Sequence, residues 1–435
     1  MNVAILGTGR VGLATGAALA SLGHRVGAVD IDERKIGLLA TGSVPFHEPG
    51  LEEMVRQGIA SGRLTFTSDP RGAVAPAAVA FLCVGTPPSP GGEADLSAIE
   101  AVTGQVARSA AGALVVVVKS TVPVGTAEKV RAGLSEARPD LAFAVVSNPE
   151  FLREGKAVED SLRPVRILVG GDDPRGIEAL KEIYAPLLAE GVPWVATDHR
   201  TAELAKYACN AFLATKISYM NAVARVCELA GADVTLVART MGMDPRIGPS
   251  YLAAGLGYGG YCLPKDIQAF ERSAAELGYE FGLLREVDRL NREAVEAAYD
   301  RVRAAVGEVR GARVALLGLA FKPGTDNVTG AQALALARRL LESGADLVGF
   351  DPQAGGNAKE QMPDLEVAGD PYLALEGARC AVLCTEWPEL VSLDPRRVRE
   401  AMASPVVVDA RNALDAEALA SAGITHVPTG RPFPA

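Results

Sequence analysis

In the run Gly257-Tyr258-Gly259-Gly260-Tyr261-Cys262-Leu263-Pro264-Lys265-Asp266, one thiol is surrounded by the residue types a nucleophilic cysteine needs. Pro264 is favoured in the first turn of a helix and the residues after it, DIQAFERSAAEL, have helical periodicity, so Cys262 is expected just outside a helix N-terminus. A free cysteine titrates near ~8.5, and a helix N-terminus or a nearby cation such as Lys265 lowers that by roughly one to several units. Glycines ahead of the thiol let backbone approach a ligand closely, and Asp266 adds a carboxylate for proton handling. Most cysteines are small buried core residues, but a core position does not need Gly-Gly before it and Pro-Lys-Asp after it.

A second chemical segment opens the chain. A strand at Val3 to Leu6 runs into Gly7-Thr8-Gly9-Arg10-Val11-Gly12, then a helical stretch, then a strand from Arg25 to Val29 that ends at Asp30. That order of strand, glycine turn, helix, strand and acidic residue is a dinucleotide-binding start. Gly7 permits the turn, Gly9 lets a pyrophosphate reach the backbone, and Gly12 lets helix and sheet pack closely. Asp30 is expected to accept from ribose hydroxyls and to repel a 2′-phosphate, which favours NAD over NADP, although Arg34 and Lys35 lie close by.

The elements that must position these groups form a chain of 435 residues, long enough for two or three domains. Its net charge of -10 argues against a nucleic-acid or anionic-membrane surface as the main partner. The uncharged run from Ala73 to Gly92 is broken by Pro76, Pro87, Pro88 and Pro90 and is not a membrane helix. Six scattered cysteines without a metal-ligand pattern fit a reducing cytosol, and the start MNVAILG lacks a signal-peptide pattern.

Further strands are expected at Ala78 to Val84, Leu114 to Lys119 and Phe143 to Ser147. They lead into loops carrying Thr86, Thr121 and the pair Glu150 and Glu154, where a doubly wound sheet binds its ligands. From about Thr201 to Ala230 the chain reads as one long helix, apolar almost all round, suited to a dimer core or a connector. Within it Lys206 and Asn210 share a face, a costly placement unless a ligand or partner satisfies them or the lysine snorkels to solvent. A second strand-to-loop unit begins at Val314 to Gly318 and continues through a helix around Ala331 to Ser343 to a strand ending at Asp351. It lacks GxGxxG, so a second dinucleotide is not expected there; Lys322 could balance another phosphate ligand.

The motifs GTGRVG, KSTVPVGT, NPEFLREG, AELAKYACNAFLATKISYMN, MDPRIG, GYGGYCLPKD and LGLAFKPGTD, in this order across the whole chain, resemble the UDP-glucose 6-dehydrogenase family. The resemblance implies an α/β fold of two Rossmann-like doubly wound domains joined by a long central helix that forms a homodimer. It puts an NAD-binding domain at 1–196, a helical connector carrying the cysteine at 197–296 and a UDP-sugar-binding domain at 297–435. The implied activity is a four-electron oxidation of UDP-glucose to UDP-glucuronate with two NAD⁺. In it Lys206, with Asp266 and a water, takes the hydroxyl proton, and Cys262 holds the aldehyde as a thiohemiacetal and then a thioester. Lys206 and Asn210 stabilise the oxyanion, and water activated by Glu150, with Thr121 and Asp266 holding solvent, releases the acid.

The same resemblance assigns the cofactor to Gly7, Gly9, Val11, Gly12, Asp30, Lys35, Thr86, Thr121, Glu154 and Lys265. It assigns the substrate to Glu150, Phe151, Leu152, Glu154, Lys206, Asn210, Tyr251, Leu252, Gly255, Gly259, Phe321, Lys322 and Arg411, with Arg246 of the partner subunit. Three departures stand out. Thr329-Gly330-Ala331 replaces a usual Arg-Glu-Ser, which removes an arginine expected near the cofactor pyrophosphate and predicts weaker, less salt-dependent NAD binding. Tyr261 stands where serine is usual, and Ala410 replaces a glycine. Dehydrogenases of UDP-N-acetylmannosamine, UDP-N-acetylglucosamine or GDP-mannose share the cysteine. A two-electron dehydrogenase of the 6-phosphogluconate type would need no thiol, and an NAD-binding scaffold would need no catalytic set at all.

Overall fold

The computed structural model of the chain describes residues 1–432. It divides into two compact units, one made of Met1–Cys209 with Gln268–Gly278, the other of Asn210–Ile267 with the chain from Tyr279 onward.

The first unit is built on β1 (Asn2–Leu6), β2 (Arg25–Val29), β3 (Leu64–Thr67), β4 (Val79–Leu82), β5 (Leu114–Val118), β6 (Phe143–Ser147), β7 (Ile167–Gly170) and β8 (Trp194–Thr197). Their order is β3-β2-β1-β4-β5-β6-β7-β8, and every pairing is parallel except β6 with β7. Runs such as VAFL and LVVVV carry no polar alternation because both faces of a parallel sheet are covered. Val3, Ile5, Val79 and Phe81 pack into the core on one face, and Ala4, Leu6, Ala80 and Leu82 into the core on the other, as the two-residue period of a strand requires. The strand order reverses between β1 and β4, where a doubly wound sheet opens a crevice at its carboxyl edge.

The second unit repeats the plan with β9 (Arg313–Leu317), β10 (Asp346–Phe350), β11 (Glu366–Val367), β12 (Cys380–Leu383), β13 (Val406–Asp409) and β14 (Thr425–Pro428). They form an all-parallel sheet in the order β11-β10-β9-β12-β13-β14. The expected second Rossmann-like unit is therefore present. Asp351, the counterpart of Asp30, is used internally: it accepts from the backbone of Leu319 and Ala320 and from the Trp387 indole.

Three helices matter for the chemistry. The long helix covers His199–Ala230, two residues more than expected at its start, because His199 already joins it. The thiol-bearing helix covers Cys262–Glu276, and a third covers Gly282–Val306. The long helix is not covered all round in the single chain: Phe212, Tyr219 and Val226, seven apart and hence on one face, are 65%, 55% and 64% exposed. Among the described residues, no helix is long and apolar enough to cross a membrane.

Candidate active site

The dinucleotide turn is shaped by three glycines with different surroundings. A Cβ on Gly12 would lie 1.9 Å from the Gly7 carbonyl oxygen, and one on Gly7, whose φ is +99°, would lie 2.7 Å from the Cys83 oxygen. Those two positions interlock helix Arg10–Ser21 with the strands, while a Cβ on Gly9 would meet nothing within 4 Å. The turn is thus closed on its inner side and open at Gly9, the fit a pyrophosphate at a helix N-terminus needs. Val11 lies half-buried in the first turn of that helix.

Asp30 stands at the end of β2 and takes bonds from the Thr8 amide at 2.9 Å, the Thr8 hydroxyl at 2.7 Å and the Lys35 ammonium at 2.8 Å. Burial opposes its ionisation, but the bonds from Lys35 and Thr8 outweigh that and hold the carboxyl down at about 2. Lys35 therefore orients Asp30 from the side. The loops after β4 and β5 are stitched together: Thr86 is buried and donates to the Thr121 carbonyl at 2.8 Å, and Ser120 donates to the Val84 carbonyl at 2.7 Å. Glu154 lies 3.9 Å from Arg10, beside the glycine turn.

Beyond β6 the chain carries Glu150 inward, to 5% exposure, where its Oε1 is 3.0 Å from Nζ of Lys206, itself 4% exposed. Oε2 of Glu150 accepts from the Leu152 amide at 2.5 Å. The snorkelling alternative for Lys206 is overturned: the ammonium turns inward because a buried carboxylate meets it there. The Phe151 ring lies 5.3 Å from Nζ of Lys206 and 3.7 Å from the Arg166 guanidinium.

In the second unit Cys262 is the first residue of its helix, a small correction to its expected place just outside it. Asp266, one turn on, is 1% exposed and accepts from Asn210 Nδ2 at 2.6 Å and from Lys265 Nζ at 2.5 Å. Lys265, expected to face the cofactor, is thus buried against Asp266, with the Tyr261 ring 5.4 Å away. A thiol at a helix N-terminus and a buried carboxylate on the next turn, held by an amide and an ammonium, is a constellation suited to covalent chemistry on a carbonyl.

The other expected substrate residues cluster in the same unit. Tyr251 adopts a positive φ of 65°, the Leu252 side chain sits in the core, and Gly255 packs so closely that a Cβ would lie 2.5 Å from the Ala410 oxygen. Gly259 backs onto the Gly330 carbonyl, 2.3 Å from where its Cβ would stand, so Gly330 of the divergent Thr329-Gly330-Ala331 turn packs against the thiol loop. Lys322 lies 5.5 Å from the Phe321 ring. Arg411 donates to the Cys384 carbonyl at 2.6 Å and reaches the carbonyls of Gly257 and Phe321 at 3.4 and 3.5 Å. Arg246 is largely exposed and pairs with Asp244 at 2.5 Å.

Sequence reasoning missed several buried polar groups. Lys119 donates to Asn148 at 3.0 Å, and burial pulls its ammonium down to about 8. Glu203 caps helix Thr126–Ala137 through the amides of Gly125 and Ala127, at 2.7 and 2.8 Å, and burial pushes its carboxyl up to about 7. Both positions carried a signal, a charge at the end of an apolar strand and a charge inside an apolar helix.

A doubly wound sheet with this glycine turn and terminal aspartate, and a second unit with a thiol at a helix start, together define an NAD-dependent oxidoreductase. Comparison makes the class specific. The chain matches the NAD binding domain of the UDP-glucose/GDP-mannose dehydrogenase family over residues 1–188, its central domain over 200–293 and its UDP binding domain over 315–416. It is 44% identical to the UDP-glucose 6-dehydrogenase of Rhizobium meliloti (strain 1021), covering 99% of this chain and 100% of that one. It is 42% identical to the UDP-glucose 6-dehydrogenase of Pseudomonas aeruginosa, covering 99% and 98%. The solved UDP-glucose dehydrogenase of Pyrobaculum islandicum superposes with a TM-score of 0.91 at 38% identity, covering 98% and 96%, and the UDP-D-ManNAc dehydrogenase of Pyrococcus horikoshii with 0.88 at 26%, covering 99% of each. The chain belongs to the UDP-glucose/GDP-mannose dehydrogenase family.

Proposed function

We propose that this enzyme oxidises UDP-glucose to UDP-glucuronate, removing four electrons from C6 through a covalent intermediate on Cys262. The observation that carries the reading is the short segment in which Cys262 opens a helix and Asp266, one turn later, is held by Asn210 at 2.6 Å. The names of the similar full-length relatives support the sugar. NAD would be held by Gly7, Gly9, Val11, Gly12, Asp30, Thr86, Thr121 and Glu154, with Lys265 assigned to it by the family resemblance alone, and it would supply the hydride acceptor for each of the two oxidations.

The C6 hydroxyl proton passes through water to Asp266, with the Lys206 ammonium stabilising the developing alkoxide, as the alcohol becomes an aldehyde and its C6 hydrogen leaves as hydride. Sγ of Cys262 then bonds to C6 and the thiol proton passes to the carbonyl oxygen. The second oxidation removes the remaining C6 hydrogen as hydride and the hydroxyl proton, leaving a thioester whose oxyanionic precursor Lys206 and Asn210 stabilise. Water, deprotonated by Glu150 and positioned by Thr121, adds to the thioester. The C–S bond breaks and the sulfur regains a proton. Lys322 and Arg411 hold the diphosphate and uridine half, with the backbone around Tyr251, Leu252, Gly255 and Gly259.

The division at 1–196, 197–296 and 297–435 and a cytoplasmic location belong to this proposal. So does a homodimer through the exposed face of Phe212, Tyr219 and Val226, which would bring in Arg246 of the partner subunit. Phe212→Asp with Tyr219→Asp should turn a dimer into a monomer by light scattering after size exclusion. A native monomer, or a double variant that stays dimeric, would contradict this. The substrate is tested by kcat/KM for UDP-glucose, UDP-N-acetylmannosamine, UDP-N-acetylglucosamine and GDP-mannose. UDP-glucose should lead by at least about tenfold, the scale at which pocket contacts discriminate, and a lead by another sugar would overturn the choice.

A further inference from the structure

The segment that delivers Cys262 has no regular structure of its own between residues 251 and 261. A loop that must hold a nucleophile to within a fraction of an ångström needs its backbone fixed from outside. One residue makes two such bonds to a single position. Asn291, on the helix Gly282–Val306, is 5% exposed and holds both backbone polar groups of Tyr258: Oδ1 accepts from the Tyr258 amide at 2.8 Å, and Nδ2 donates to the Tyr258 carbonyl at 2.9 Å. The same carbonyl takes a second donor from Gln332 Nε2 at 2.5 Å.

Two features show the grip is built for this backbone. Gly257 has a φ of +96°, and a Cβ there would lie 2.5 Å from Asn291 Oδ1, so only glycine admits the amide to that depth. The helix bearing Asn291 is itself tied down, since Ser218 on the long helix donates to the Val287 carbonyl at 2.7 Å. Upstream, Asn221 accepts from the Gly255 amide at 2.8 Å. Backbone groups at Gly255 and Tyr258 are thus held by the side-chain amides of Asn221 and Asn291.

We propose that Asn291 is a positioning residue for the thiol, acting through Tyr258 with Gln332 as its support, and sets the rate of the chemical steps rather than the affinity for either substrate. The proposal rests on the thiol mechanism above. In it the clamp fixes the path of the chain into the first turn of the Cys262 helix, and with it the line along which Sγ meets C6.

The test uses the full-length enzyme. Asn291→Ala should lower kcat by about 10- to 100-fold, the scale of a one-ångström misplacement, while KM for UDP-glucose and for NAD stays within about twofold. Alkylation of Cys262 by iodoacetamide, followed by peptide mass at fixed pH, should change rate in the same variant. Gln332→Leu removes only the supporting bond and should lower kcat less, again without moving KM. It serves as the measurement if Asn291→Ala does not fold. A folded Asn291→Ala with native kcat, a loss confined to KM, or a Gln332→Leu of native kcat where Asn291→Ala does not fold, would overturn the proposal. Cys262→Ser is run alongside: if it turns over normally the thiol mechanism has failed, whereas an inactive Cys262→Ser beside a native Asn291→Ala removes only the clamp.

Discussion

Cys262→Ser should lower the rate of UDP-glucuronate formation by about a thousandfold or more, with the fold and NAD binding intact. The expectation follows from what the sulfur supplies. A hydroxyl at the same helix start is far less ionised than a thiol, so an addition the helix terminus assists for sulfur gains little for oxygen. The first oxidation does not use the sulfur, so the variant should still oxidise the C6 alcohol to the aldehyde slowly, with one NADH formed, and a carbonyl trap should capture the aldehyde. Measuring glucuronate by chromatography beside NADH separates the two steps. A serine variant making the acid within tenfold of the native rate would remove the thioester from the mechanism.

Lys206→Met should cost both stability and activity. The Lys206 and Glu150 side chains are 4% and 5% exposed and 3.0 Å apart, so removing the ammonium leaves a carboxylate buried without its counter-charge. Breaking such a pair costs about 3 to 5 kcal/mol, on the order of 10 °C in Tm for a unit of this size. Pairing the change with Glu150→Gln removes the orphaned charge and should restore most of that stability. Activity should not return, because the double variant lacks both the ammonium that stabilises the alkoxide and oxyanion and the base of the last step; a loss of about a hundredfold or more is expected for each. Calorimetry and kcat on the single and double variants check this. A Lys206→Met variant as stable and as fast as the native enzyme would make the pair incidental.

Local order was readable from the sequence wherever it depended on near neighbours. The glycine turn and Asp30 sit within one strand, helix and strand, so spacing alone placed them, and the Pro264 signal located the start of the thiol helix to within a residue. The second sheet was legible for the same reason, since β9 and β10 end in the same pattern of loop and aspartate. What pairs with what was not legible. Periodicity put Lys206 and Asn210 on one helix face but could not say that each would turn to a different carboxylate, Glu150 and Asp266, both distant in sequence. Asn291 is hidden more deeply: it lies in a helix crowded with arginine and glutamate, where an asparagine reads as one more solvated residue until the fold carries Tyr258 against it.

The most direct test of the account is the amount of NADH formed per UDP-glucose consumed by the native enzyme at completion. Two are expected, with UDP-glucuronate as the product. A ratio of one, with the sugar left as aldehyde, would contradict it.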